Sequence, residues 1–319
     1  MFGLFGRKTV SEEDLVDLHG KVAIVTGGNR GIGYATIQML ARRGAKVYMG
    51  SRDQGRAEAA IKQLESENIN DGSVHWFKLD LSDPRTAKSA AKEFLEKEQR
   101  LDILINNASI GVRSKLDKDG LLDVMVTNHF SHFALTEALL PLLKATANES
   151  GADVRIVTVA SSTHARVQPT TFSTKEAFNK DYGESVYGRL NTYANTKLAN
   201  ILHSKELQRR LSAQSMPITC ISLHPGEILT PGLEEFLDTI PYAGWFLKNY
   251  VFVAPWRDGA MTVAFAAAGK KVAQERDKYR GTYLVPMGAM TVPSSFAQDE
   301  RLQRELYETT EKILAEIQP

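Results

Sequence analysis

The stretch Val22-Ala-Ile-Val-Thr26-Gly27-Gly28-Asn29-Arg30-Gly31-Ile32-Gly33-Tyr34-Ala35 decides the architecture. It reads as a strand, a glycine turn and the start of a helix, because an unbroken β-branched run suits a strand covered on both faces. Glycines let the backbone turn tightly and approach a ligand closely. The free amides and positive dipole end of the following helix face the same point, so the unit is suited to bind a pyrophosphate. An ordinary strand-to-helix turn is the structural alternative, and the further βα units downstream weigh against it.

Outward from this turn, short apolar runs alternate with longer amphipathic ones. Candidate strands are Val22–Thr26, Lys46–Gly50, Val74–Lys78, Ile103–Asn106, Arg155–Val159, Ile218–Leu223 and Thr282–Val285. Candidate helices are Ile32–Arg43, Arg52–Glu67, Pro84–Gln99, a broken pair across Leu121–Lys144, Leu190–Leu211, Asp258–Ala268 and Asp299–Ile317. The expectation is an α/β fold: one doubly wound domain with a seven-stranded parallel sheet and helices on both faces. Residues 1–20 would be an N-terminal arm, 21–290 the domain, and 291–319 a C-terminal helical extension that packs through Leu302, Leu306, Ile313, Leu314 and Ile317. Thr163–Gly188 and Pro231–Arg257 interrupt the alternation after late strands, where long loops are placed to cover a pocket.

Composition excludes several classes. In 319 residues, 39 Lys and Arg face 38 Asp and Glu, a net charge of +1, so no global field favours nucleic acid or an anionic membrane. Any anion must be bound locally. Cys220 is the single cysteine and the seven histidines show no HExxH spacing, which argues against a disulfide framework or a metal centre. No run of about twenty apolar residues spans a membrane, and Met1–Lys8 is too short for a signal sequence. A reducing, cytoplasmic setting is expected, with weak membrane-surface contact through Phe2 and Phe5 left open against a frayed terminus.

The glycines are spaced Thr26-Gly27-x-x-x-Gly31-x-Gly33, unlike the GxGxxG fingerprint, and further motifs follow in order. They are Asp80-Leu81, Asn106-Asn107-Ala108-Ser109, Asn128, Ser161, Tyr193-Ala-Asn-Thr-Lys197 and Pro225-Gly226 with Thr230. From about Lys21 to Val285 the set resembles the classical branch of the short-chain dehydrogenase/reductase family. Asn128-His-Phe-Ser-His-Phe-Ala-Leu-Thr-Glu137 and Lys197-Leu-Ala-Asn-Ile-Leu202 are similar to its retinol-dehydrogenase and WW-domain-oxidoreductase-like subgroup, without a preceding WW domain. The resemblance implies a Rossmann fold and cofactor contacts from Gly27, Asn29, Arg30, Gly31, Ile32, Gly33, Ser51, Arg52, Asp80, Leu81, Asn107, Ala108, Tyr193, Lys197, Pro225, Gly226, Ile228 and Thr230. Asp80 also reads as part of a helix start, and Ser109 stands where the family usually has glycine.

An NAD site wants a carboxylate at the end of the second strand, and an NADP site a cation for the 2′-phosphate. Here Ser51 fills the acidic position and Arg52 follows, with Arg30 as a second cation, so NADP(H) is expected over NAD(H). Asp53 reads as an acid facing the next helix dipole.

Tyr193 and Lys197 are four apart in a helical stretch and so share a face. A free phenol titrates near 10, and a neighbouring ammonium favours its phenolate, which makes Tyr193 a workable acid/base. The resemblance implies that Ser161 seats the substrate oxygen, Lys197 holds the nicotinamide ribose and Asn128 holds a water leading to the lysine. A break in the apolar helix is the local alternative for Asn128. Without GxSxG or a triad spacing for His164 and His224, a hydrolase has little support. The expected activity is NADPH-dependent hydride transfer between the nicotinamide and a carbonyl or alcohol. A non-catalytic NADP(H) sensor and a redox-neutral epimerase or dehydratase are the alternatives.

Phe236, Ile240, Tyr242, Trp245, Phe246, Leu247, Tyr250, Phe252 and Trp256 crowd the segment that serves the family as substrate lid, about 231–257. They suit a bulky apolar substrate, with core or dimer packing as the alternative. Glu227 receives no role. The resemblance implies pairing through the helices around Leu121–Lys144 and Leu190–Leu211, so a homodimer stays open, with the C-terminal helix able to block it.

Overall fold

The computed structural model describes all residues except 1–9, 70–71, 112–114, 184, 230–233, 235–236, 239–243, 246–247, 249–254 and 318–319. Among the described residues the strands are β1 (Val22–Thr26), β2 (Lys46–Ser51), β3 (Ser73–Lys78), β4 (Ile103–Asn106), β5 (Val154–Val159), β6 (Ile218–Leu223), β7 (Tyr283–Val285) and β8 (Ala289–Thr291). They form one sheet in the order β3-β2-β1-β4-β5-β6-β7-β8. The first seven run parallel, in register from Val22 opposite Lys46 to Leu223 opposite Leu284.

The eighth strand corrects the expectation of seven. It pairs antiparallel to β7 through Leu284 and Met290, after a turn in which Met287 has φ +65° and Gly288 φ +69°. A three-residue edge strand with Met290 and Thr291 exposed is too short to leave a readable apolar run.

The longer helices are α1 (Gly31–Arg42), α2 (Gln54–Ser66), α3 (Pro84–Lys97), α4 (Ser131–Ala147), α5 (Val186–Ala213), α6 (Trp256–Ala268) and α7 (Glu300–Glu316). Helices α1, α2 and α6 cover one face of the sheet, and α3, α4, α5 and α7 the other, each over its own apolar core. Every residue of β1, β4, β5 and β6 is buried, which is why they read as continuous apolar runs. Strand order reverses between β1 and β4, so a crevice opens at their carboxyl ends.

The broken pair is one nearly continuous helix. A turn at Asp123–Met125 passes through a π turn, Val126–Phe130, into α4, and Asn128 lies in that π turn. Helix α5 begins four residues earlier than expected, where Ser185 Oγ accepts a hydrogen bond from the Gly188 amide at 3.0 Å.

The chain ends join the two cores. Leu15 and Leu18 are buried, and the Val16 amide donates to Ala268 O at 2.8 Å. Residues 1–9, including the two Phe considered for membrane contact, lie outside the described residues. Helix α7 buries Leu302, Leu306, Ile313 and Leu314 against the α4/α5 side. Its Tyr307 ring meets Phe133 at 4.8 Å and its hydroxyl donates to Glu137 at 2.7 Å. No helix of the described residues is long and apolar enough to cross a membrane.

Candidate active site

The phosphate loop is shaped by what a side chain would strike. Gly27 and Gly31 have φ of +65° and +59°, in the left-handed region that favours glycine. A Cβ on Gly33 would stand 2.4 Å from Gly27 O and 2.7 Å from Asn107 Nδ2. Thr26 Oγ1 accepts hydrogen bonds from the Asn107 and Ala108 amides, both at 2.9 Å, and Asn107 Nδ2 donates to Thr26 O at 2.8 Å. The loops after β1 and β4 are thereby tied together at the crevice. Arg30 occupies the N-cap position of α1 without a side-chain cap, which leaves first-turn amides for an anion. A groove of about 400 Å³ runs along this loop past Asn29, Arg30, Gly31, Tyr34, Leu229 and Trp256. Ile32 is buried against the α1 side of the sheet.

At the end of β2, Ser51 is buried with its hydroxyl donating to Asp53 O at 3.3 Å. Arg52 is exposed and makes no hydrogen bond or ion pair among the described residues. Asp53 caps α2 by accepting from the Arg56 amide at 2.8 Å, the helix role expected of it. Asp80 Oδ1 accepts from the Ser82 amide at 2.9 Å, Leu81 is buried, and Asp83 caps α3. Gly226 follows Pro225 with φ +116°, and Ile228 turns inward with its amide donating to Gly226 O at 3.0 Å. Thr230 and most of 231–257 lie outside the described residues, including Phe236, Ile240, Tyr242, Phe246, Leu247, Tyr250 and Phe252.

The residues expected to move the proton lie just after β5 and within the first half of α5. Ser161 caps a short turn, Ser162–Arg166, its Oγ accepting from the Thr163 amide at 3.2 Å. Tyr193 is partly buried and Lys197, one turn further on, is fully buried. The lysine Nζ stands 5.3 Å from the Tyr193 ring centre and donates to Val159 O at 3.0 Å. Burial pushes the lysine down to about 7 and the Tyr193 phenol up to about 12. The group that pulls the phenol back is the Ser109 hydroxyl, where the lysine was expected to do so. The residue that departs from the family pattern is therefore one that faces Tyr193.

Asn128 acts as a clamp. Its Oδ1 accepts from the Ile110 amide and its Nδ2 donates to Ile110 O, both at 2.9 Å, and Nδ2 also donates to Thr196 Oγ1 at 3.0 Å. This fixes the residue next to Ser109. The Asn128 carbonyl accepts from His132 Nδ1 at 3.2 Å and, with the Asn200 amide oriented to satisfy its neighbours, from Asn200 at 2.9 Å. His132 Nε2 in turn accepts from Thr26 Oγ1 at 2.8 Å, and burial holds that imidazole neutral by moving it down to about 4. A hydrogen-bonded chain thus joins the phosphate loop, His132 and Asn128 to the loop that carries Ser109. The sequence reading missed Thr26, His132, Thr196 and Asn200 as members. Their signal was polar pairs four apart, Asn128 with His132 and Thr196 with Asn200, inside otherwise apolar helices.

Residues 21–180 match the family model described as short chain dehydrogenase. The chain belongs to the short-chain dehydrogenase/reductase family. It is 42% identical over 308 residues to a short-chain dehydrogenase/reductase of Armillaria gallica, with 95% of each chain covered. It is 35% identical to the human dehydrogenase/reductase SDR family member 13, with 93% of this chain and 74% of the human one covered. Among solved structures it is similar to an uncharacterized protein from Mycobacterium Paratuberculosis, at a TM-score of 0.72 and 28% identity over 97% and 98% of the two chains. It is also similar to Pseudomonas aeruginosa RhlG in an NADP active-site complex, at a TM-score of 0.59 and 25% identity over 88% and 98%. Membership makes the chain an oxidoreductase-family protein with a nicotinamide-cofactor fold.

Proposed function

We propose that this short-chain dehydrogenase/reductase transfers a hydride between NADP(H) and the carbonyl or alcohol of a bulky apolar substrate, with Tyr193 as acid/base. The observation that carries the reading is a buried Lys197 whose Nζ stands 5.3 Å from the Tyr193 ring centre, on a helix packed against the turn that Ser161 caps, in a fold whose glycine loop keeps uncapped amides. When bound, the nicotinamide supplies or takes up the hydride. The chain's own residues manage the oxygen and its proton. Ser161 holds the substrate oxygen by a hydrogen bond, and Tyr193 gives it the phenol proton. A phenol raised to about 12 stays protonated at neutral pH, which suits a proton donor in the reductive direction. Lys197, lowered to about 7, gives or takes a proton at that same pH and holds the ribose hydroxyls.

The reading of NADP(H) over NAD(H) rests on an unpaired Arg52 and on Asp53 being occupied as a helix cap. Arg30, in the glycine loop, is the second cation of this reading. The remaining cofactor contacts are Gly27, Asn29, Gly31, Ile32, Gly33, Asp80, Leu81, Asn107, Ala108, Pro225, Gly226, Ile228 and Thr230. The bulky apolar substrate rests on the aromatic content of 231–257, of which Trp245 and Trp256 are described and exposed. Helix α7 covers the side of α4 and α5 through which pairing was considered, which supports a monomer over a homodimer at that face. Incubation with NADPH and a panel of aliphatic, aromatic, terpenoid and steroid carbonyls tests the reading by loss of cofactor absorbance. Tight NADPH binding without turnover on any carbonyl, or product formed without net NADPH loss, would overturn it.

A further inference from the structure

The π turn that carries Asn128 is gripped from two sides. On one side Asn128 holds both backbone polar groups of Ile110 and reaches Thr196 Oγ1, whose hydroxyl donates to Tyr193 O at 2.8 Å. On the other, His129 Nε2 meets Thr310 Oγ1 of α7 at 2.9 Å, and both residues are buried. Thr310 is the only hydrogen-bond partner of the His129 ring among the described residues, and Nδ1 of that ring is buried with none. The other neighbours are aromatic: Phe178 is stacked on the imidazole at 5.9 Å, and Phe130, Phe133 and His203 meet it edge-on at 5.3, 6.0 and 5.8 Å. Thr310 Oγ1 gives its single proton to Leu306 O at 2.7 Å, so it accepts from His129 Nε2. A π turn is rare and holds one residue more per turn than an α turn. A slip to the α register would rotate Asn128 away from Ile110 and Thr196 and free the loop that carries Ser109.

We infer that Thr310, on the C-terminal helix, is a positioning residue for Tyr193: through His129 it holds the π turn in the register that keeps Asn128 on the loop carrying Ser109. The inference rests on the proposed function in one respect, that Tyr193 is the acid/base. Contact runs from Thr310 to His129, through the π turn to Asn128, across two hydrogen bonds to Ile110, and from the adjoining Ser109 hydroxyl to the Tyr193 phenol, which that hydroxyl pulls down. The imidazoles around the first contact stay neutral in the working range, because burial moves His129 well below its usual value, His203 down to about 3 and His132 down to about 4. Lys197, 5.3 Å from the Tyr193 ring centre, is lowered to about 7 and so bears on the acidic limb of a pH profile and not on the basic one. A packing brace between α7 and the π turn is the alternative role for Thr310, and it leaves the phenol unmoved.

The test measures the pH profile of kcat for reduction of the best carbonyl of the panel in Thr310→Val and in His129→Phe, which remove the hydrogen bond from either end. The basic limb is expected to move to higher pH in both, by no more than it moves in Ser109→Gly, with NADPH affinity and the carbonyl KM within a few-fold of wild type. Thr310→Ser keeps the hydroxyl and is expected to return the limb to its wild-type position. In the double variant Ser109→Gly with Thr310→Val the limb is expected where Ser109→Gly alone puts it, because the second change has nothing left to act through. Melting temperature, measured on each variant, reports the packing loss separately. His129→Phe leaves no buried donor unpaired and carries the test should Thr310→Val not fold. A basic limb unmoved in both variants, or a further shift on the Ser109→Gly background, overturns the inference and leaves the hydride reading standing. Absence of turnover on every carbonyl in wild type overturns the hydride reading and the inference with it.

Discussion

Lys197→Met should make the cofactor-free protein more stable at neutral pH while removing its activity. The lysine is 1% exposed, and burial lowers it to about 7 in the folded chain, against about 10.4 in an unfolded one. Between those values the unfolded chain holds more protons than the folded one, so stability rises with pH. Above the unfolded value the lysine costs nothing by this route. The cost grows as pH falls from about 10 and reaches about 4 kcal/mol near pH 7. Methionine fills similar volume without a charge, and its own penalty is the Val159 carbonyl that loses its 3.0 Å partner, about 1–3 kcal/mol. The net gain at pH 7 is about 1–3 kcal/mol, a rise of a few degrees in melting temperature for a domain of this size. By pH 10 the gain should vanish or reverse, because wild type has by then released its strain. Urea unfolding of both proteins at pH 7 and pH 10 reads this directly, and the difference between them cancels other titrating groups. A variant less stable than wild type at pH 7, or a difference that does not move with pH, would refute the reasoning.

Four further outcomes follow from particular residues. Ser109→Gly restores the usual family residue and removes the hydroxyl that pulls the Tyr193 phenol down, so the basic limb of the pH profile for kcat should shift to higher pH, with NADPH affinity little changed. An unmoved profile would count against Ser109. Replacing both Arg30 and Arg52 by Ala should weaken NADPH binding by roughly tenfold or more and leave NADH binding within a few-fold, read by cofactor fluorescence. Leu306→Asp puts a charge into the fully buried contact between α7 and the α4/α5 side and should cost about 3–5 kcal/mol. Wild type should elute as a monomer in size-exclusion chromatography, and a wild-type dimer would show that another face pairs.

The parts legible in the sequence were those with a backbone cause. The glycine spacing at Gly27, Gly31 and Gly33 marks the phosphate loop by itself, because positive φ and close packing leave no room for another residue there. Runs such as Arg155–Val159 read as strands because both faces are covered. What escaped was set by tertiary contact. β8 exists because three residues fold back on β7, and no local pattern encodes that. Asn128 was readable as a costly polar residue in an apolar helix, but its clamp on Ile110 depends on a loop 18 residues away. The link through His132 to Thr26 spans 106 residues. For Tyr193 and Lys197, four-residue spacing shows that they are neighbours, while the depth of burial that raises the one and lowers the other belongs to the whole fold.

Tyr193→Phe tests the account most directly, because it removes one oxygen and leaves the glycine loop untouched. NADPH consumption with the best carbonyl of the panel should fall by about 10²–10⁴, with NADPH binding within a few-fold of wild type. Turnover near the wild-type level in that variant would contradict the assignment of Tyr193 as the acid/base.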